Sequence, residues 1–470
     1  MSATATTEKK YLKWYQKLAY GSGDLASNCS YGLVSSFVLL YLTGTLGLDS
    51  AIIGSLMLAS KVLDGISDVI FGTLIDRTHS KLGKARPWML FGQVGVSLCL
   101  FLLFVIPAGS TTMQYIYFFI VYTALNAVFY TANGIAYSSL VALITKNNNE
   151  RVQLGSFRFM FAVVTNIFMG FAVTGMVEKF GSGAAGWRTT ALIFAIVGLV
   201  VNTISCLAVK ELPEEELSDN TSEAADEGKV VAGEKKHGFA ETAKILIHNK
   251  YYLMILAIYI VYYIMSNLTT GAGVFCATYY WGDGSLLGQF SMMKMFPVII
   301  ALAIAPVLIK KTGSMQKVNF WGYAISSVLG IPMIYFAMQK NLSMFLLFMF
   351  IKGVFAGTLS GSLNALIAEA SGYTTRTTGV HMDGMMYSCS SLGVKVGGGI
   401  GTAAVGWLLK LGGFVGTATV QSESAIRMIF NLYITFPFVI GIIITVLLAF
   451  LDVEKANKKW DAEHQKEAQA

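Results

Sequence analysis

In KVLDGISDVIF (61–71), Lys61, Asp64, Ser67 and Asp68 interrupt an otherwise apolar run. Spacings of i, i+3 and i+7 put Lys61, Asp64 and Asp68 on one face of a helix. Two carboxylates about one turn apart repel unless a cation sits between them or one takes a proton. The pair therefore reads as a coupling-ion site for Na+ or H+, with the Ser67 hydroxyl adding a neutral oxygen. The competing reading is a structural Lys61–Asp64 ion pair, with Asp68 near the membrane edge. Either arrangement must face protein, because a charge at a bilayer centre costs about 2.5–3.5 kcal/mol even on the lenient insertion scale.

Composition shows that the surroundings are a bilayer. Of 470 residues, 54% are hydrophobic and only 13% charged, with a mean hydropathy of +0.60, where soluble domains carry roughly 25% charged residues. Apolar blocks long enough to span lie near 18–44, 51–75, 88–107, 113–145, 152–178, 187–209, 249–276, 284–308, 318–338, 341–370, 379–411 and 425–451. Strict alternation over short segments, the mark of a membrane β-barrel, is absent. The fold expected is an all-α membrane protein of twelve transmembrane helices in two six-helix bundles, 1–209 and 249–451. A polar cytoplasmic linker, 210–248, joins them, and a cytoplasmic tail, 452–470, follows. No removable signal peptide is read at the amino terminus.

Most of the 34 Lys and Arg fall in alternate loops and the two ends. By the positive-inside rule both termini are expected in the cytoplasm of a bacterial cell, and the net charge of +7 reports topology, not nucleic-acid binding. Cys29, Cys99, Cys206, Cys276 and Cys389 lie in apolar segments without metal-ligand spacing, and read as buried hydrophobes. The two halves carry a trace of repetition. SLVALI (139–144) leads to a polar turn ending at Arg151, and SLNALI (362–367) to one ending at Arg376. Between spans two and three, GTLIDRTHSKLGKARP (72–87) is a basic turn of G-x-x-x-D-R-x-x-x-x-x-G-K form, a pointer to major-facilitator architecture. Asp76, Arg77, Arg151 and Arg376 read as gating residues at these turns, and Pro87 as the start of the third helix.

Further polar groups sit at span depth. Asn28 and Asn133 can hydrogen-bond hydroxyls in both directions. Tyr31, Tyr137, Trp281 and Tyr387 are candidates to stack on a sugar ring, Tyr137 foremost because it follows Asn133 by one turn. Arg158 and Lys395, one in each half, suit an oxygen-rich or anionic solute or, equally, an interhelical ion pair. Lys294 and Lys352 read as structural or snorkelling residues, and Glu369 and Asp383 as caps or surface pairs.

The motifs carry a definite resemblance from about Tyr20 to the last span. YGSGDLASN (20–28), KVLDGISDVIFGTLIDRTHSKLGKARPW (61–88), NGIAYSSL (133–140) and AEASGYTTRTTGVHMDGMMYSCSSLGVKVGGGIG (368–401) resemble the signatures of the glycoside–pentoside–hexuronide:cation symporter family. The resemblance implies a twelve-helix secondary transporter of a sugar or glycoside, with Asp64 and Asp68 on the family's cation-site acids. It also implies Arg158 and Lys395 as its fifth- and eleventh-span cations. Ser67 stands where asparagine is usual, and Tyr130 where the melibiose permease has a threonine cation ligand. Asn28 and Asn133 replace sugar-binding aspartates and Tyr137 a tryptophan, nearer to the glucuronide branch. Asn364 replaces an aromatic, Gly372 and Thr375 replace acids, and His381 replaces arginine.

The expected function is cation-coupled symport of a sugar or glycoside, a uronide or pentoside above others, by alternating access. The expected partners are the solute, the coupling cation and lipid, with no cofactor. Two other readings are a carrier of amphipathic or lipid-like solutes, marked by a cavity lined mainly with Phe and Met, and a non-transporting scaffold. An enzyme would need a nucleophile–base or metal constellation, and none is found.

Overall fold

A computed structural model describes residues 9–213, 245–379, 383–418 and 420–469, and in these the ordered elements are helices. The first half holds α1 (Trp14–Thr45), α2 (Ser50–Asp76), α3 (Arg86–Leu103), α4 (Thr111–Ile144), α5 (Asn148–Lys179) and α6 (Gly183–Leu207). The second holds α7 (Lys250–Tyr280), α8 (Leu286–Thr312), α9 (Met315–Met338), α10 (Leu342–Thr378) and α11 (Met385–Leu411). Its last span, α12, runs from Glu423–Phe430 through Asn431–Thr435 into Phe436–Phe450, and α13 (Val453–Gln469) follows. Eleven stretches of the described chain are long and apolar enough to cross a membrane. The span outside that set, α2, is 27 residues long and is the one that carries Lys61, Asp64 and Asp68.

Sequence chemistry explains where these helices begin. The first backbone N–H groups of a helix lack partners within it, and short polar side chains supply them. Asp49 accepts from Ala51 and Ile52, Ser110 from Met113, Asn147 from Glu150, Asn249 from Tyr251 and Tyr252, Ser314 from Lys317 and Asn341 from Met344. Pro87 lies in the first turn of α3, as expected. Gly379 ends α10 in the left-handed conformation, at φ 71°. The tenth span therefore runs two turns past its expected end at 370, and the eleventh begins after 379. Thr374, Thr377 and Thr378 support the extension by bonding back to carbonyls one turn earlier.

The chain divides into two compact units, one containing α1 to α6 and the other α7 to α13. In the first, Tyr20, Met89, Ala136, Tyr137, Leu140, Leu154 and Cys206 form part of one buried cluster. Polar bonds fix the helix registers: Ser97 donates to the Ala195 carbonyl at 2.9 Å and Asn202 to the Met89 carbonyl at 2.9 Å. In the second unit Gly353, Gly357 and Gly361 line one face of α10, where an added Cβ would meet Pro297, Ala301 and Leu302 of α8. A four-residue glycine repeat is how membrane helices approach closely.

The segment expected as a cytoplasmic tail is helical over Val453–Gln469 and docks onto its own unit. Glu454 accepts from the Met315 and Gln316 amides at 2.8 and 3.1 Å, Asn457 donates to Glu369 at 2.8 Å, and Asp461 pairs with Arg376 at 2.9 Å. The first unit repeats the first of these contacts. There Glu211, just past α6, accepts from the Lys84, Ala85 and Arg86 amides at 2.7, 2.9 and 3.0 Å. A carboxylate after the last span of each half thus caps the third span of that half, where the helix dipole is positive. All five cysteines are free and buried.

Candidate functional site

The first unit gathers most of the expected site residues. Asp64 of α2 accepts a hydrogen bond from the Thr131 hydroxyl of α4 at 2.7 Å, and the Lys61 ammonium lies 3.5 Å from its other oxygen. Ala124–Tyr130, just before Thr131, is a π-helical turn, a wide geometry that is rare and often marks functional positions. The same hydroxyl also contacts the Asn126 carbonyl at 2.9 Å. Ser67 donates to the Asp64 carbonyl of its own helix at 2.9 Å. Asp68 lies one turn on along α2, half-buried.

Tyr130, expected from the resemblance as a cation ligand, makes no hydrogen bond to Asp64 among the described residues. Its ring stacks on Tyr31 of α1 at 5.7 Å, and Lys61 sits 6.0 Å from the same Tyr31 ring. The hydroxyl beside Asp64 belongs to the next residue, Thr131, the first after the π turn. Among the described residues no three His, Cys, Asp or Glu side chains are grouped to hold a metal ion.

Two turns before Tyr31 on α1, a second charged pair appears that the sequence did not reveal. Arg158 of α5 donates to Asp24 at 2.6 Å, and its guanidinium lies 4.2 Å from the centroid of the Tyr137 ring. Of the two readings of Arg158, an open cation for an anionic solute or an interhelical pair, the geometry here is the pair, with Asp24 as the partner. Asp24 stands four residues before Asn28, on the same helix face, but nothing local in the sequence names its partner 134 residues away. Asn28 donates to the Asp24 carbonyl at 2.7 Å and accepts from Asn166 at 2.9 Å, so it is tied into the same network.

Asn133 and Tyr137 share a helix face as expected, but protein occupies them. Asn133 is only 3% exposed and donates to Gln93 at 2.6 Å. Tyr137 is 2% exposed, packs on the Tyr20 ring at 4.7 Å, and donates to the Tyr20 carbonyl at 2.8 Å. The Tyr20 hydroxyl in turn bonds to the Tyr137 carbonyl. Gly23 admits this packing, since a Cβ there would lie 2.8 Å from the Tyr137 ring. Tyr137 therefore clamps α1 to α4 and does not present an open stacking face.

In the second unit Lys395 sits half-buried in the π-helical turn Gly393–Gly397 of α11, and Tyr387 is 41% exposed one helix segment earlier. Trp281 packs against Phe345 at 5.4 Å. Asn364 accepts from Tyr259 at 2.8 Å. His381 lies outside the described residues. Of the gating residues, Asp76 and Arg77 are exposed at the end of α2, while Arg151 donates to the Thr145 carbonyl at 3.1 Å and ties α4 to α5. Arg376 is held by Asp461 of α13.

The second unit also contains a cavity of about 190 Å³. Lys294 of α8 and Lys352 of α10 line it, with Met265, Met293, Met333 and Met349 among its apolar walls. Both lysines, expected as structural or snorkelling residues, have the cavity beside them.

Residues 19–455 match the family model described as MFS/sugar transport protein. The chain belongs to this family. It is a multi-pass membrane transporter of the glycoside–pentoside–hexuronide:cation symporter group, not an enzyme. It is 26% identical to the isoprimeverose transporter of Lactiplantibacillus pentosus, over 98% of this chain and 93% of that protein. It is 23% identical to the glucuronide carrier protein homolog of Escherichia coli, over 86% of this chain and 85% of that one. A third relative, a putative 2,3-dihydroxypropane-1-sulfonate exporter of E. coli, is 26% identical over 93% and 92%. The fold matches solved transporters. A bacterial homolog of the lysosomal transporter Spinster, inward-facing and unoccupied, aligns with TM-score 0.64 at 12% identity over 95% of this chain and 97% of that one. The nucleoside transporter NupG aligns with TM-score 0.59 at 12% identity over 93% and 99%.

Proposed function

We propose that this chain carries out cation-coupled symport of a glycoside-class solute by alternating access, with the coupling cation bound at Asp64. The observation that carries the reading is the Asp64 carboxylate, held between α2 and α4 by the Thr131 hydroxyl at 2.7 Å and met by Lys61 only at 3.5 Å. A long ion pair is the arrangement an incoming Na+ or proton can replace. When the cation neutralises Asp64, Lys61 is released toward the Tyr31 ring, which stacks on Tyr130. Binding at Asp64 thereby reaches an aromatic pair joining α1 to α4. A cation drives transport only if it binds the solute-accepting state more tightly than the other, because equal binding shifts no equilibrium.

Asp68 and Ser67 complete the cation side of the proposal, and Asn28, Lys395 and Tyr387 its solute side. The relatives named isoprimeverose transporter and glucuronide carrier protein homolog support a glycoside. The distribution of Lys and Arg supports both termini in the cytoplasm of a bacterial cell. The methionine-rich walls of the cavity between α8 and α10 favour one second reading, an amphipathic solute.

The test is labelled-glycoside counterflow and uptake in proteoliposomes, with sodium and pH varied separately. Uptake of isoprimeverose or an aryl glycoside, accelerated by one of the two cations, is expected. Uptake of a lysophospholipid with no response to any glycoside would replace this reading with the amphipathic one.

A further inference from the structure

The described intramembrane cations of the first unit have carboxylates beside them, but Lys294 and Lys352 do not. Lys294 reaches only the hydroxyls of Thr269 and Thr270, at 3.3 and 3.2 Å. Neither lysine forms a salt bridge among the described residues, and no Asp or Glu lines the cavity they share. Their helices cross at the same level. A Cβ on Gly353, next to Lys352, would contact Pro297 at 2.8 Å and lie 3.6 Å from the carbonyl of Met293, next to Lys294. Two like charges are thus set at one helix crossing, in a cavity walled by Met293, Met349, Phe345 and Tyr433 and offering further hydroxyls from Ser326 and Ser360.

Burying unpaired charge is costly and is tolerated where a counter-charge is supplied. Within these walls none is supplied. We infer that Lys294 and Lys352 form a binding site for the anionic group of an organic anion, a carboxylate or sulfonate attached to an apolar or glycosidic body. The anion is the missing counter-charge. Its oxygens accept from the two ammonium groups and the body packs on the methionine and aromatic walls, where thioether side chains adapt to varied shapes. The inference deepens the glycoside reading by assigning the substrate class, and it moves the anion-selecting charge from Arg158, which Asp24 neutralises, to the second unit.

Calorimetry on the purified full chain in detergent compares three probes with one aryl body: 4-nitrophenyl glucuronide, 4-nitrophenyl glucoside and 4-nitrobenzenesulfonate. The expected result is tighter binding of the glucuronide than of the glucoside. In Lys294→Gln and Lys352→Gln that ratio should fall by about tenfold or more, as loss of a charge-assisted hydrogen bond implies. Lys294→Arg and Lys352→Arg, which keep the charge, should restore much of it. An unchanged ratio in both glutamine variants overturns the inference and leaves glycoside symport standing. If neither glycoside binds, but the sulfonate does and loses affinity in the glutamine variants, the glycoside reading fails and the anion site holds. If no anion binds the wild-type chain, the site is refuted.

Discussion

The two units solve the same problem, charge inside a membrane, in opposite ways. In the first, Lys61 lies 3.5 Å from Asp64 and Arg158 lies 2.6 Å from Asp24. In the second, Lys294 and Lys352 share an acid-free cavity. A unit that neutralises itself can respond to a small cation by exchanging one internal partner for another. A unit whose cavity holds two lysines and no acid can take an anionic partner from outside. On the proposed reading the first serves the coupling ion and the second an anionic solute, although both keep the same scaffold, including the Glu211 and Glu454 caps on equivalent helices.

The harshest way to break the comparison is to unbalance the self-neutralised unit. Asp24→Asn leaves Arg158 without its carboxylate and should destabilise the protein by about 2–4 kcal/mol, below the range for a fully buried pair because both side chains are partly exposed. Thermal unfolding measures this, and adding Arg158→Gln should recover a substantial part of the loss.

The shared scaffold can be probed next with Glu211→Gln and Glu454→Gln. Each weakens hydrogen bonds from backbone amides to a carboxylate, for about 1–3 kcal/mol, and the two losses should be similar. A large loss in only one unit would show that the caps are not equivalent.

Thr131→Val removes one hydroxyl from Asp64 while preserving shape. The apparent affinity for the coupling cation should fall about tenfold, the equivalent of one hydrogen bond to a charged group, with solute counterflow retained. Smallest of all, Arg376→Gln breaks an exposed pair with Asp461 and should change stability by no more than about 1 kcal/mol. A larger change would show that the docking of α13 contributes more to stability than an exposed pair can.

The twelve spans were legible because their signal is compositional and local: long apolar runs, polar caps such as Asn147 and Asn249, and glycine stops such as Gly379. The acids of α2 were legible for the same reason, since Asp64 and Asp68 stand out against their apolar neighbours. What the sequence hid was partnership. Asp24 lies in plain view in YGSGDLASN, yet its role depends on Arg158 of α5. That the hydroxyl bonded to Asp64 is Thr131's and not Tyr130's was also hidden, because the π turn before it is not visible in a periodicity of 3.6. The expected stacking face of Tyr137 was lost to Tyr20, a neighbour that helix packing alone determines. The helical, docked state of Val453–Gln469 escaped notice because its polar residues bond to the ends of α9 and α10, and these contacts replace an apolar stripe.

The account rests on Asp64 as the group that exchanges Lys61 for the coupling ion. The most direct test is glycoside uptake into proteoliposomes by wild type and Asp64→Asn, with the sodium gradient and the pH gradient imposed one at a time. Wild type should concentrate the solute under one of the two gradients. Asp64→Asn should lose that accumulation altogether while still exchanging labelled solute across the membrane. An Asp64→Asn protein that concentrates solute as well as wild type does would contradict the account.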